Sequence, residues 1–443
     1  MVLGADDLKQ LEALESRLTQ SFAADELNSR YYEGTYRPPV MGLAVPPELR
    51  MFFTLANWCR TTADAVADRM KMRSFYLPGE DAASVELREG WDANNLDSEA
   101  NIHHKELLIT GRGFVSVGSN EEDPDHPLIQ IESARELAVD VDHRHKRIKS
   151  AARFYGDEGE GPKLATLYLP NETRWLTKGS QGWSVDKVDE HNLGRVPLVM
   201  FLNKRRLGKW DGVPEFQDVK PFVDAAARSL TNLQLAQETH AVPQKYVLGM
   251  SKGDFVDKSG NPIPAWEAYF NAIWANGNKD AKVGQFSASD LKNFHETVDH
   301  YARLAASVSG LPTRYFGLTS VNPAAEGAIR ADESQLVQNV ENKQAEWGDG
   351  WGWVMGLYER FRTGEWVEGS RIKTEWFDAG TPTYAQRADA LTKMYGNGNG
   401  LIPRRAALEE LGFSEAKIDR YERYAADEAS AALTALEKDL NDI

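Results

Sequence analysis

The sequence predicts an α+β chain, on three observations. Residues 128 to 202 are short β-branched and aromatic runs separated by turn residues, the pattern of an antiparallel sheet. Beyond residue 214, apolar side chains recur at three and four residues, which is helical spacing. Between 288 and 363 the chain reads as a helix, then Gly310-Leu311-Pro312, an irregular loop and a long helix. That last pattern sets a loop at the meeting point of two helices.

In chain order, residues 6 to 30 predict a surface helix, with Leu8, Leu11, Leu14, Leu18 and Phe22 on one stripe. A second helix is predicted over 47 to 73, started by Pro46-Pro47 and carrying Phe52, Leu55, Cys59, Val66 and Met70. Residues 100 to 118 read as helix, a Gly111-Arg112-Gly113 turn and a strand. After the sheet region, 214 to 241 predicts a helix with Phe222, Ala226, Leu230, Leu233 and Ala236 on one face. Residues 242 to 287 are rich in Gly, Asn and Pro, with Trp266, Tyr269, Phe270 and Trp274 spaced as a short helix. The next helix opens at Ser289-Asp290 and is stopped by Gly310 and Pro312, since Gly accepts left-handed dihedrals and Pro lacks an amide hydrogen. Asn322-Pro323 restarts a helix that runs to 363. Trp347, Trp351, Trp353 and Tyr358 make an aromatic row on it, expected in the core. Gly348, Gly350, Gly352 and Gly356 predict a bend or a close helix approach near 348 to 352. A strand at 371 to 377, a helix at 384 to 395, a Gly-Asn turn and a helical 403 to 439 complete the chain.

The 443 residues allow about three domains or one elongated fold. A formal charge of −16 argues against a chain that grips nucleic acid, because tight binders neutralise phosphates with Lys and Arg. The single cysteine, Cys59, cannot form an intrachain disulfide, which suits a reducing compartment. No basic segment leads Met1 to Asp7, so no signal peptide is expected, and no run of about 20 apolar residues predicts a membrane span.

Catalytic signatures are sparse. No Gly-x4-Gly-Lys-Ser/Thr loop and no nucleophile elbow occurs. Gly111-Arg112-Gly113 precedes a strand and reads as a plain turn, not a dinucleotide loop. His143-Arg144-His145-Lys146-Arg147 lacks partner ligands at metal spacing and fits the solvent face of a strand. His295 and His300 are five apart, poor geometry for a shared metal. Asp332-Glu333 fits a solvated helix face better than a catalytic pair. Lys204-Arg205-Arg206 with Lys209 and Trp210 is the densest basic cluster; it is either a solvated turn or a contact for phosphate or an acidic neighbour. No cofactor or metal is predicted.

Several segments together carry a family resemblance. They are Gly194-Arg195-Val196-Pro197-Leu198-Val199, Phe201 to Gly212, Asp224 to Leu230, and Glu238 to Gly249. Leu311-Pro312 followed by Ala325 to Arg330 adds a loop-to-helix junction, and Trp376 to Glu428 adds Ala388-Asp389-Ala390 and Arg404 to Gly412. In order and spacing these resemble phage portal proteins, most of all the Gp6-like portals of tailed phages infecting actinobacteria.

The resemblance implies a portal fold: an α/β wing over 1–213, stem helices at 214–241 and 288–310, and a small clip at 242–287. It further implies a tunnel loop at 311–325, a long kinked helix with a returning wing segment over 326–383, and a short helical crown at 384–443. It implies a ring, typically of twelve subunits, at one capsid vertex of the virion, assembled in the host cytoplasm. Double-stranded DNA would pass through it. The other partners implied are the terminase large subunit, the head-completion adaptor, and the major capsid and scaffold proteins. The expected loop residues are Thr313, Arg314, Tyr315, Thr319, Ser320 and Asn322; Glu326, Arg330 and Glu333 are expected on the lumen-facing helix, and Trp266, Tyr269 and Trp274 at the adaptor. From 326 to 346 the helix carries five carboxylates against Arg330 and Lys343, and the loop only Arg314. An acidic lumen of this kind would let duplex slide rather than bind, with Arg314 touching the backbone in passing. The rival readings are another minor head protein, or a nuclease or NTPase with an unrecognised site.

Overall fold

A computed structural model describes residues 3–38, 53–156, 159, 161–240, 245–248, 282–285, 291–318, 326–367, 372–380, 384–396, 399–413, 417–428 and 430. The chain divides into two compact units, Met1–Phe377 and Asp378–Ile443.

In the first unit, helix α1 (Ala5–Glu33) lies on a five-stranded antiparallel meander. Helix α2 (Trp58–Ala67), strand β1 (Met72–Tyr76), and helices α3 (Val85–Ala93) and α4 (Leu96–Thr110) precede a three-stranded sheet. That sheet has the order β3 (Leu128–Glu132), β2 (Arg112–Gly118), β9 (Leu198–Leu202), all antiparallel. The meander is β4 (Leu137–Asp142), β5 (Arg147–Tyr155), β6 (Leu164–Tyr168), β7 (Thr173–Gly179) and β8 (Gly182–Asp189). Leu11 and Leu14 of α1 pack with Phe154, Leu167, Leu176 and Trp183 of this sheet. The predicted stripe ends at Leu18: Phe22 is half exposed beneath the Arg135 guanidinium. At the far end of α1 the buried Asp25 pairs with Arg112 at 2.5 Å.

Helix α5 (Lys220–His240) carries Pro221 in its first turn and packs on helix α6 (Lys292–Ser309). Short strands β10 (Lys245–Leu248) and β11 (Lys282–Gln285) pair antiparallel between them. The predicted short helix with Trp266, Tyr269 and Trp274 lies outside the described residues. Helix α7 (Glu326–Thr363) then crosses the three-stranded sheet, and β12 (Lys373–Trp376) pairs with β1.

The core gathers where α7 meets the sheet. Trp347, Trp351 and Tyr358 are buried, as the aromatic row predicts, whereas Trp353 of that row is only half-buried. The Trp351 ring meets Trp91 at 4.9 Å edge-on, its Nε1 donates to His104 Nε2 at 3.0 Å, and Trp347 Nε1 donates to the Leu202 carbonyl at 3.1 Å. The glycines admit close neighbours. A Cβ on Gly350 would sit 2.4 Å from Phe201, and one on Gly352 2.4 Å from the Ile372 carbonyl oxygen. The approaching elements are a strand and a strand-flanking segment, not a second helix.

Four boundaries differ from the sequence expectation. Of the predicted 47–73 helix, the described part is helical only from Trp58, where the Asn57 side chain accepts from the Arg60 amide. Its end is a strand because β12 offers Met72–Tyr76 a ladder. The 214–241 helix starts at Lys220, since Glu215 is committed elsewhere. His143 to Lys146 form the β4–β5 turn rather than a strand face, with Asp142 accepting from the Arg144 and His145 amides. In the second unit, the predicted 403–439 helix is broken: α9 (Arg404–Glu410) ends before Gly412, whose φ is 86°, and α10 covers 417–428. Helix α8 (Tyr384–Tyr395) precedes them. Phe413 meets Tyr421 edge-on at 5.6 Å, and Arg405 pairs with Asp419 and Glu422.

Candidate functional site

The loop between α6 and α7 is anchored at its foot. Helix α6 buries Ala302, Ala305 and Ala306, and α5 buries Ala226 and Ala227; small side chains let two helices lie close. Gly310 ends α6 with φ 69°, the left-handed conformation that glycine adopts without a Cβ penalty. Leu311 and Pro312 are buried, and Thr313–Phe316 forms one 3-10 turn closed by Gly317 at φ 86°. Phe316 is buried against Trp58 of α2, their rings 5.9 Å apart and edge-on. The loop therefore leaves from a docked turn.

Charge fastens that turn to α7 and α2. Arg314 pairs with Asp332 at 2.9 Å and also with Glu333. Arg69, next to α2, meets Glu333 at 3.2 Å and donates to the Tyr315 hydroxyl at 3.1 Å. Tyr315 in turn donates to Glu333 at 3.3 Å. Glu333 thus departs from the solvated helix face expected of the Asp332-Glu333 pair. Its side chain is only 14% exposed and turns inward, because two guanidiniums and a phenol supply the hydrogen bonds a buried carboxylate needs. Arg314 is one-third exposed, and its charge is already met within the chain.

Ten residues further along α7, Lys343 makes a second inward contact. It is buried, and its ammonium sits 2.5 Å from Asn203 Oδ1 and 3.0 Å from Glu215 Oε2. Asn339 donates to Glu215 Oε1 at 3.0 Å, and Lys204 to the Glu215 carbonyl at 2.8 Å. Burial alone would raise the Glu215 pKa. The Lys343 and Lys204 charges, with the Asn203 and Lys343 hydrogen bonds, outweigh it and hold the carboxyl at about 2. The chain folds this way because Asn203 donates to the Val213 carbonyl and Gly212 lies against Gly111, where a Cβ would be 1.7 Å from the Gly111 carbonyl oxygen. Lys343 therefore locks α7 to the start of the α5 segment and is no part of a charged open face. Asp332 and Glu341 remain exposed on α7.

The family profile described as phage portal protein, SPP1 Gp6-like, matches residues 16–432. The chain belongs to that portal family. The portal protein of Mycobacterium phage D29 is 35% identical over 419 residues, covering 92% of this chain and 86% of the relative. That of Mycobacterium phage L5 is 33% identical over 447 residues, covering 98% and 92%. Among solved structures, a chain in the neck of an empty GTA particle aligns with TM-score 0.48 and 13% identity, over 86% of this chain and 97% of its own.

Of the residues expected at this portal's loop, Thr313 is exposed and Tyr315 half-buried beside Arg314. Thr319, Ser320 and Asn322 lie outside the described residues, as do the side chains of Glu326 and Arg330. Trp266, Tyr269 and Trp274 lie outside them too. Sequence reasoning missed Arg69 and Glu215. Neither sits in a motif, and the cation or carboxylate that each meets on α7, Glu333 for Arg69 and Lys343 for Glu215, is more than a hundred residues away along the chain. The basic cluster at 204–210 gave the nearest signal, since Lys204 is part of the Glu215 site. His295 is exposed, as expected for a surface histidine.

Proposed function

We propose that this portal chain is one subunit of a closed ring of about twelve copies at a single capsid vertex, the conduit for double-stranded DNA during packaging and ejection. Membership of the portal family over 16–432 carries this reading. In it, 1–213 is the wing, 214–241 and 288–310 the stem, 242–287 the adaptor-binding clip with Trp266, Tyr269 and Trp274, and 384–443 the crown. Residues 311–325 are the tunnel loop, and 326–383 the long helix with its returning wing segment. The ring docks the terminase large subunit and the head-completion adaptor, and it is built into the shell with major capsid and scaffold proteins in the host cytoplasm. The subunit is structural and takes no cofactor; force comes from the terminase.

The charge arrangement at the loop's foot supports a passage of low friction. With Arg314 neutralised by Asp332 and Glu333, the base of the loop presents little net positive charge to phosphate. Thr313, Thr319, Ser320 and Asn322 then offer neutral hydrogen bonds that do not read bases, and Glu326 and Arg330 flank the passage. End-on images of the purified chain test the reading: closed rings with a central hole are expected. A monomer by light scattering, or ATP hydrolysis by the pure chain, overturns it.

A further inference from the structure

One cleft of the first unit is left electrically incomplete. The β4–β5 turn, the segment leading into β9 and the loop after β9 enclose about 280 Å³ against α7, with Lys146, Arg147, Arg195 and Arg205 on the walls. Glu346 and Asp349 face them. The Arg195 guanidinium lies flat enough to sit 3.7 Å from the Trp353 ring centroid. Among the described residues it has no carboxylate partner. Burial, then the neighbouring Arg147 charge, lower its pKa to about 10. Arg69, Arg112, Arg153, Arg174 and Arg314 of the same unit, by contrast, each meet a carboxylate. A half-buried guanidinium stacked on an indole keeps its N–H edge free, the edge that grips a carboxylate in bidentate fashion.

The rim adds an independent observation. Arg205 lies over Trp210 at 5.1 Å, and Trp210 Nε1 donates to His143 Nδ1 at 3.1 Å, which ties the loop to the β4–β5 turn. On this tethered loop Leu207 is fully exposed, beside Gly208 at φ 75°. A leucine held outward on the loop whose Arg205 and Trp210 line the cleft gives the make-up of a protein contact, an apolar rim beside a charged wall.

We propose that this cleft receives a carboxylate side chain from a second copy of the same chain, with Arg195 and Arg147 as its anchors and Leu207 as its apolar rim. The inference rests on the ring reading above and names one of its subunit contacts. A chain of charge −16 repels its own copies. A heterologous ring interface sets one flank of each copy against the other flank of the next, so every copy supplies both halves, and cations on one flank facing carboxylates on the other offset that repulsion. Leu207 and Trp210 favour a protein surface over a phosphate backbone, which has no apolar group to bury.

The test uses rings assembled from an equal mixture of isotope-labelled and unlabelled full chain. A zero-length carbodiimide then joins lysines to touching carboxylates. Lys146 is the amine at the cleft, and its cross-links are expected to join labelled to unlabelled peptides. Rings in which Lys146 links only within one copy overturn the proposal and leave the ring reading intact. A chain that forms no ring overturns both. As a second measurement, Arg195→Gln is expected to raise the concentration for half-assembly by about tenfold or more, with monomer melting unchanged. Arg195→Gln rings that assemble as wild type but lose retention on duplex DNA would overturn it in favour of a phosphate contact.

Discussion

At the scale of single residues, two carboxylates decide how α7 is held. Glu215 is nearly fully buried, and Lys343 is the nearest cation to it. Lys343→Met leaves that carboxylate with Lys204 at 3.8 Å as its remaining cation. Breaking a buried pair from one side costs about 3–5 kcal/mol, so a loss near 3 kcal/mol is expected from urea unfolding. Glu333→Gln is milder. It weakens the bonds to Arg69, Arg314 and Tyr315 together, for about 1–3 kcal/mol, while Asp332→Asn, whose side chain is 51% exposed, is expected within about 1 kcal/mol of wild type. Equal effects from Glu333→Gln and Asp332→Asn would show that the inward turn of Glu333 does not fasten the loop's foot.

At the scale of elements, α7 is a helix whose glycines serve its neighbours. Alanine is a better helix former than glycine by about 1 kcal/mol, so propensity alone predicts that Gly352→Ala stabilises the chain. The space argues otherwise, because the new Cβ would meet the Ile372 carbonyl at 2.4 Å, and backbone does not yield as a side-chain tip does. Overpacking costs about 1–3 kcal/mol, so a net loss of about 1 kcal/mol is expected in the denaturant midpoint. Gly350→Ala, which meets the Phe201 ring, is expected to cost less if the ring can turn. The glycines and the tryptophan row could be read from local spacing, which is why the long helix and its buried face were legible. What presses on them could not be read, since Phe201 and Ile372 reach α7 only through the tertiary fold. The same limit explains α2 and Lys343. The strand ending the predicted 47–73 helix exists only because Lys373–Trp376 pairs with it, and periodicity cannot say which helix face meets a carboxylate 128 residues upstream.

At the scale of the whole molecule, the first unit is joined across a histidine pair that must stay neutral. His103 and His104 of α4 are buried where α4, β9, α7 and β12 converge. Their surroundings are aromatic. Phe201 and Trp351 lie 4.6 and 5.7 Å from His103, and Trp347, Trp351 and Trp376 lie within 6 Å of His104. Burial, then the adjacent His104, lower the His103 pKa, and burial, partly opposed by a hydrogen bond to the Met70 backbone, lowers His104 to about 3. In the unfolded chain both titrate near 6.5. Below that pH the unfolded state binds up to two more protons than the folded state, so stability falls as pH falls; above it their contribution is fully present. Two such groups give a slope of about 2.7 kcal/mol per pH unit at the steepest. Glu215 does not contribute in this window, because its titration lies between about 2 and the ordinary carboxylate value of 4.5. Asp25, Glu106 and Glu132, whose pKa values burial raises, act in the opposite sense and flatten the wild-type curve. The difference between two chains removes their part. His103→Leu with His104→Gln keeps an acceptor for Trp351 Nε1 and abolishes both titrations. Measured by urea unfolding from pH 8 to 5, the gap between wild type and this variant is expected to be constant above pH 7. Below 6.5 it is expected to shift in the variant's favour by up to about 2.7 kcal/mol per unit. A gap independent of pH would mean that the pair reaches water in the folded portal chain, and that the joint between α4 and α7 is open.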